Sequence, residues 1–188
     1  NFGRNSIAVI QSQYLVLDSG FAVSSKVLSY IVNTQSVAMI LTGFIAGWVG
    51  RKIGDGNSLL LGSALAVGSL FLLAIADNLG LIYVSNYLRG CSEVLILASS
   101  YAFASVLIPP EKRAKFFGIF NATYFLSWGL PGTFIAGPIT DLLLSYGASE
   151  AFSYQMAFVS AAIMTLIGLF IQGFLVFVYI PRSTSTAA

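Results

Sequence analysis

Charged side chains are so sparse along this chain that the gaps between them draw its outline. No Asp, Glu, Lys or Arg falls between Lys26 and Arg51, between Asp55 and Asp77, between Lys115 and Asp141, or between Glu150 and Arg182. A helix needs about 20 predominantly apolar residues to cross the hydrocarbon of a bilayer, and each gap is long enough. Two further apolar stretches complete the set. Residues 5–17 form a short one, and 79–108 form a long one that holds two charges, Arg89 and Glu93. The pattern predicts an all-α polytopic membrane protein with six transmembrane helices over roughly 1–18, 23–50, 57–76, 79–108, 114–144 and 152–180.

The breaks carry turn chemistry. Gly54-Asp55-Gly56-Asn57 separates the second and third helices, and Asp77-Asn78 with Gly80 separates the third and fourth. Pro109-Pro110 stops the fourth, because proline has no N–H to continue the ladder. Gly147-Ala148-Ser149-Glu150 precedes the sixth, Pro181 ends it, and 183–188 reads as a flexible cytoplasmic tail. The first stretch is too short ahead of Asp18 to span comfortably, and residue 1 is Asn rather than Met. The first helix is therefore expected to begin upstream.

Composition narrows the function classes. The chain has 188 residues, 57% hydrophobic and 9% charged, against about 25% charged in soluble domains. Too little polar surface exists to face water, so lipid is the expected solvent. The 9 basic and 7 acidic residues are scattered, which is no nucleic-acid signature. There is no His, and Cys91 is the single cysteine. That excludes Ser-His-Asp, Cys-His and zinc chemistry within this chain, so neither an enzyme nor a metal or cofactor site is expected. No ATP-binding Gly-rich loop is present. Orientation follows from loop charge: Arg51, Lys52, Lys112, Arg113, Lys115 and Arg182 lie after the second, fourth and sixth helices, whereas the opposite loops hold only Lys26. The positive-inside rule then puts both ends of the segment in the cytoplasm of a multi-pass cell-membrane protein.

Several motifs stand in order along this frame. The run from Gly43 to Lys52, Gly-Phe-Ile-Ala-Gly-Trp-Val-Gly-Arg-Lys, resembles the Gly-x-x-x-Asp-Arg-x-Gly-Arg-Lys loop signature of the major facilitator superfamily. Gly43, Gly50, Arg51 and Lys52 match it; Gly47 and Trp48 replace its Asp and first Arg. The run from Ile108 to Gly118 is similar to the family's Pro-Pro-Glu-x-Arg-Gly-x-x-x-Gly junction. Trp128 to Gly132 and Ala136 to Asp141 look like its Gly-Pro-rich fifth or eleventh helix. The family's usual Arg near the start of the fourth helix falls on Asn86 by spacing, with Arg89 one turn later.

The resemblance implies one six-helix half of a transporter built from two inverted three-helix repeats. The altered loop motif, the missing initiating Met and the short tail favour the C-terminal half. It further implies secondary active transport of a small solute by alternating access, as a symporter or proton-coupled exporter. The implied partners are that solute, protons, the lipid bilayer and the other six-helix half. In the family the signature Asp belongs to a cytoplasmic latch, which Gly47 cannot form. That loss keeps a transport-inactive sensor or scaffold in view as an alternative. A channel-like protein is another, although no ring of like charges marks a filter.

The candidate working residues are the polar ones set in apolar runs. Arg89 and Glu93 are four apart on the fourth helix and share a face. Arg89 lies about 15 Å inside at 1.5 Å per residue. An ionisable pair at that depth is costly in lipid and reads as a coupling or binding site; the bland reading is a static pair that fixes packing. Arg4, Gln11 and Tyr14 form a stripe on the first helix, Tyr30 and Asn33 on the second, and Asn121, Tyr124 and Trp128 on the fifth. The resemblance makes these stripes walls of a central cavity, while polar packing between helices explains single Asn, Gln and Tyr residues equally well. Gly43 and Gly47 present a small-xxx-small face suited to close helix contact.

Overall fold

Hydrocarbon supplies no hydrogen bonds, so a chain within it satisfies its backbone in helices. The structure is a computed structural model, and it describes residues 2–179. Pro181, Arg182 and the 183–188 tail lie outside the described residues.

Local chemistry sets the helix ends. Helix α3 (Ser25–Ile53) opens where the Ser24 side chain accepts from the Val27 N–H at 3.4 Å. It closes on Gly54, whose φ of 86° is open to glycine and strained for other residues. That single residue makes the reversal, so α4 (Asp55–Ala74) begins two positions before the predicted start at 57. Asp55 then sits in the first turn of α4, where a negative charge suits the helix dipole. Helix α5 (Leu79–Leu107) is capped by Asn78, which accepts from Leu81 N–H at 3.0 Å. It stops at Ile108, held extended at φ −94°, ψ 121°, because the ring of Pro109 disfavours a helical residue before it. A 3-10 turn, Pro110–Lys112, leads into α6 (Arg113–Pro131). After a π turn at Gly132–Ala136 the chain continues as α7 (Gly137–Ser145). Helix α8 (Glu150–Phe174) is capped by Ser149 and runs on as a π turn, Leu175–Tyr179.

Helix α5 is the spine, packed along α4 and α3, while α8 lies against α4, α1 and α7. Small hydroxyls tie these neighbours together: Ser99 Oγ donates to Ser58 Oγ at 2.7 Å, and Ser85 Oγ to the Ser69 carbonyl at 2.8 Å. Such bonds between helices replace the hydrophobic drive that lipid cannot supply. The apolar core gathers Ile7, Leu15, Ile31, Leu70, Ile82 and Phe158. Large apolar side chains also cover the outside, with Phe44 81% and Phe170 69% exposed. A surface of that kind belongs in lipid rather than water. Among the described residues four helices are long and apolar enough to cross a membrane: Ser25–Ile53, Asp55–Ala74, Leu79–Leu107 and Glu150–Val178. The chain is an all-α polytopic membrane protein.

Two expectations change, and a third finds no partner among the described residues. The predicted first helix, 1–18, is two short helices, α1 (Phe2–Ser6) and α2 (Ile10–Val16). The register breaks between them, where Ala8 N–H bonds Asn5 O three residues back and Ser6 Oγ turns onto the Gly3 carbonyl. The predicted 114–144 helix is interrupted by the π turn, which falls between Pro131 and Pro138. Each of these prolines lacks the donor that would hold a regular turn. Finally, among the described residues no neighbouring helix packs closely on Gly43 or Gly47: both are exposed, and a Cβ at Gly43 would meet nothing within 4 Å. The buried stripe of α3 is Ile31, Ala38, Thr42, Ala46 and Gly50. Gly43 and Gly47 each lie one residue past a stripe position, about 100° around the helix.

The close approach of α3 occurs at Gly90 instead. A Cβ there would run into the Gln35 carbonyl and lie 2.8 Å from Ala38 Cβ. Gly90→Val is expected to lower stability by about 1–3 kcal/mol through overpacking. Gly68→Ala, where a Cβ meets nothing within 4 Å, is expected to stay within about 0.5 kcal/mol of wild type. Thermal unfolding of the detergent-solubilised protein measures both, and equal midpoints for the two variants contradict this packing.

Candidate functional site

The polar residues of α1, α2, α5 and α6 converge on one buried network. Arg4 on α1 is 1% exposed, and Glu93 on α5 is 5% exposed. Arg4 Nη2 donates to Glu93 Oε1 at 3.1 Å, which is the one ion pair among the described residues. The Tyr124 hydroxyl of α6 donates to the same carboxylate oxygen at 3.3 Å. Glu93 thus meets a cation from the first predicted helix and a phenol from the fifth. The expected local pair between Arg89 and Glu93 does not form. Arg89 reaches away along α5, and its Nη1 donates to Gln11 Oε1 of α2 at 2.5 Å.

A relay of neutral groups continues from Arg89. Gln11 Nε2 donates to Asn86 Oδ1 at 3.1 Å, and Asn86 Nδ2 to the Ile82 carbonyl at 2.9 Å. Every donor points the same way, outward from the Arg89 cation. Such chains polarise one another and gain when fully satisfied. Beside Arg4, Asn5 Nδ2 donates to Ser127 Oγ at 3.2 Å, and Ser127 Oγ to the Tyr124 carbonyl at 2.6 Å. Helix α1 is therefore pinned to α5 by an ion pair and to α6 by an amide-hydroxyl bond.

The other candidates divide. Tyr14 is buried in the core, edge-on to Phe21 and Phe158 at ring separations of 5.8 and 5.3 Å. Asn121 accepts from the Tyr101 hydroxyl and is half-buried. Trp128 is exposed on one wall of a cleft of about 250 Å³, opposite Asn5 and Gln13 and next to Thr133. Tyr30 and Asn33 are exposed on the side of α3 away from its buried stripe and take no part in the network. In the loop signature Gly50 is buried, Arg51 and Lys52 are exposed, and Lys52 Nζ lies 4.8 Å from the centre of the Trp48 ring. The residue that replaces the signature Arg thus holds a cation by its ring face.

A second cavity, about 380 Å³, lies between α1, α4, α5, α6 and α8. Arg4 is its single charged lining residue, among Ser63, Thr165, Gln172, Phe120 and Ile96. Ser63 Oγ donates to Gln172 Oε1 at 2.6 Å.

Sequence reasoning missed three members of this site: the pairing of Arg4 with Glu93, the Asn5–Ser127 bond, and Asn86 as the end of the Arg89 relay. The first two join residues 89 and 122 positions apart, and no local periodicity carries such information. Asn86 and Gln11 had a signal, since both are amides on apolar helical faces with an Arg nearby.

Known proteins give the site its setting. No solved structure matches the chain. It is 29% identical over 126 residues to the "Probable small intestine urate exporter" of Mus musculus, covering 66% of this chain and 24% of that protein. It is 21% identical over 164 residues to the galactose-proton symporter of Escherichia coli (strain K12), covering 87% of this chain and 34% of the relative. Multidrug export protein EmrB of Haemophilus influenzae is 24% identical over 113 residues, 60% of this chain and 22% of that protein. The chain thus spans about a fifth to a third of the length of these relatives. The Major Facilitator Superfamily profile matches residues 1–188 throughout, and with six apolar segments, the loop signature and a buried polar network on the first, fourth and fifth of them, this chain belongs to that superfamily.

Proposed function

We propose that the chain is one six-helix half of a secondary active transporter that moves a small solute by alternating access, and that Glu93 couples the movement to protons. The observation that carries this reading is the Arg4–Glu93 pair, buried at 3.1 Å within the bundle and shared with Tyr124. Intramembrane ionisable groups are rare and mark solute or proton pathways. A proton on Glu93 cancels its charge, and Arg4 then loses its only carboxylate partner among the described residues. Helix α1, held to α5 by that pair, becomes free to shift. A solute that competes for Arg4 acts on the same contact from the other side. One contact thereby responds to both proton and solute, which is the requirement for coupling.

The names of the relatives support a carrier, and one of them supports proton coupling: one is a galactose-proton symporter, another a probable urate exporter, and a third a multidrug export protein. The altered loop signature supports placement as the C-terminal half. The cluster of Arg51, Lys52, Lys112, Arg113 and Lys115 at one end of α3, α5 and α6, against Lys26 at the other end, supports a cytoplasmic location for the basic side. Replacement of the signature Asp by Gly47 supports a second reading, a transport-inactive sensor or scaffold.

Two experiments test these statements. The full-length protein in proteoliposomes with an imposed pH gradient is expected to take up at least one of galactose, urate or ethidium. Glu93→Gln is expected to reduce gradient-driven accumulation at least tenfold, with Glu93→Asp retaining part of it. Wild-type accumulation by Glu93→Gln removes the coupling role, and no uptake of any solute favours the transport-inactive reading. For orientation, single cysteines are placed in a Cys91→Ser background. An impermeant maleimide added to whole cells is expected to label Lys26→Cys and to leave Lys112→Cys untouched until the cells are opened; the reverse pattern inverts the topology.

A further inference from the structure

The buried network does not balance its charge. Arg4, Arg89 and Glu93 are 1%, 9% and 5% exposed, so two cations and one anion are withdrawn from water together. Glu93 pairs with Arg4, and Arg89 is bound by the neutral Gln11. The remaining neighbours, Asn5, Asn86, Tyr124 and Ser127, are neutral as well. One positive charge is left over. Three donors in the same cluster are buried with no partner among the described residues: Nε and Nη1 of Arg4, and Nε of Arg89. Open donors on buried cations are costly, and so is a surplus charge, the more in a low-dielectric interior. Unsatisfied groups of this kind call for a specific explanation. A static packing role leaves the cost unmet, because packing alone would be served by one Arg and one Glu, or by none.

The shape of the site indicates what meets it. Arg4 borders the cavity of about 380 Å³ as its single charged lining residue, a volume in the range of small-molecule sites. Across that cavity, Ser63 Oγ occupies the oxygen of the Gln172 amide at 2.6 Å. The Gln172 NH2 is then a further donor on the wall. The lining is otherwise mostly apolar; its polar part is one positive charge with hydroxyl and amide groups, and no carboxylate is among them. We infer that the solute carries a negatively charged oxygen group, received by the guanidinium of Arg4 with Arg89 supplying the surplus field. Planar guanidinium forks suit carboxylate and phosphate alike, and the shared chemistry is the oxyanion. This inference rests on the transport reading and sharpens it to a substrate class.

The test uses the full-length protein in detergent and matched probes that differ in charge: benzoate against benzamide, galacturonate against galactose, and inorganic phosphate against sodium chloride at equal ionic strength. Thermal midpoints are measured over a concentration series. At least one anion is expected to raise the midpoint while its counterpart does not, and the responding member tells carboxylate from phosphate. Arg89→Gln, which removes the surplus charge without breaking the ion pair, is expected to weaken the apparent affinity for that anion about tenfold or more. If Arg89→Gln fails to fold, the wild-type comparison within each pair still decides. Equal responses to both members of every pair, or no response to any anion, overturn the inference and assign the surplus charge to a counter-charge outside the described residues. Galactose uptake in the proteoliposome assay together with such a result leaves the transport reading standing and removes this one alone.

Discussion

A carboxyl group is costly to place inside a bilayer unless a partner lies against it, and Glu93 finds that partner 89 residues away in sequence, on Arg4. Much of the interior follows from this contact. Helix α1 has 5 residues, far below the length at which a helix holds itself together. Its place is fixed from outside, by Arg4 on α5 and by Asn5 on α6. Removing one partner of a buried pair costs about 3–5 kcal/mol because the other is left stranded.

The long helices were legible because lipid imposes a simple rule, and α3, α5 and α8 follow it with charge-light runs bounded by caps and prolines. The ends that sequence placed poorly are those decided by a single backbone torsion, as at Gly54, where a φ of 86° reverses the chain in one residue. The breaks inside helices were harder. Pro131 and Pro138 announced a disturbance in 114–144, but a π turn between them depends on how the freed carbonyls are met, which is a matter of local geometry. The break at 7–9 carries no proline or glycine at all. It coincides with the bond from Ser6 Oγ to the Gly3 carbonyl, a local side-chain bond that competes with the regular ladder.

For the site, burial of charge was legible and partnership was not. Arg89 and Glu93 stand out in an apolar run, and four-residue spacing suggests a pair. A pair at that spacing lies flat along one helix, however, and stabilises nothing between helices. The structure spends Glu93 on Arg4 and Arg89 on Gln11, so that both charges tie separate elements to α5. The small-residue face finds no partner among the described residues. Gly43 and Gly47 catch the eye as glycines, yet α3 packs through Ala38, Thr42, Ala46 and Gly50. Backbone proximity is set by which stripe faces the neighbour, and glycine alone does not choose it.

Two of the three irregular backbone segments lie side by side. The break between α1 and α2 and the π turn at Gly132–Ala136 border the same cleft of about 250 Å³, which Asn5, Val9, Thr133 and Trp128 line. Irregular backbone at membrane depth is tolerated where it is buried in protein or lines a cavity, and here both instances sit next to the charged network. Arg4 lies just before one of them, and Tyr124 lies two turns before the other. Glu93, which both contact, sits within the uninterrupted α5. The carboxylate is thus fixed on a continuous rod, while its two donors ride on segments that end in weakened turns. Both distances to Glu93 are therefore set by how those turns place Arg4 and Tyr124 against α5.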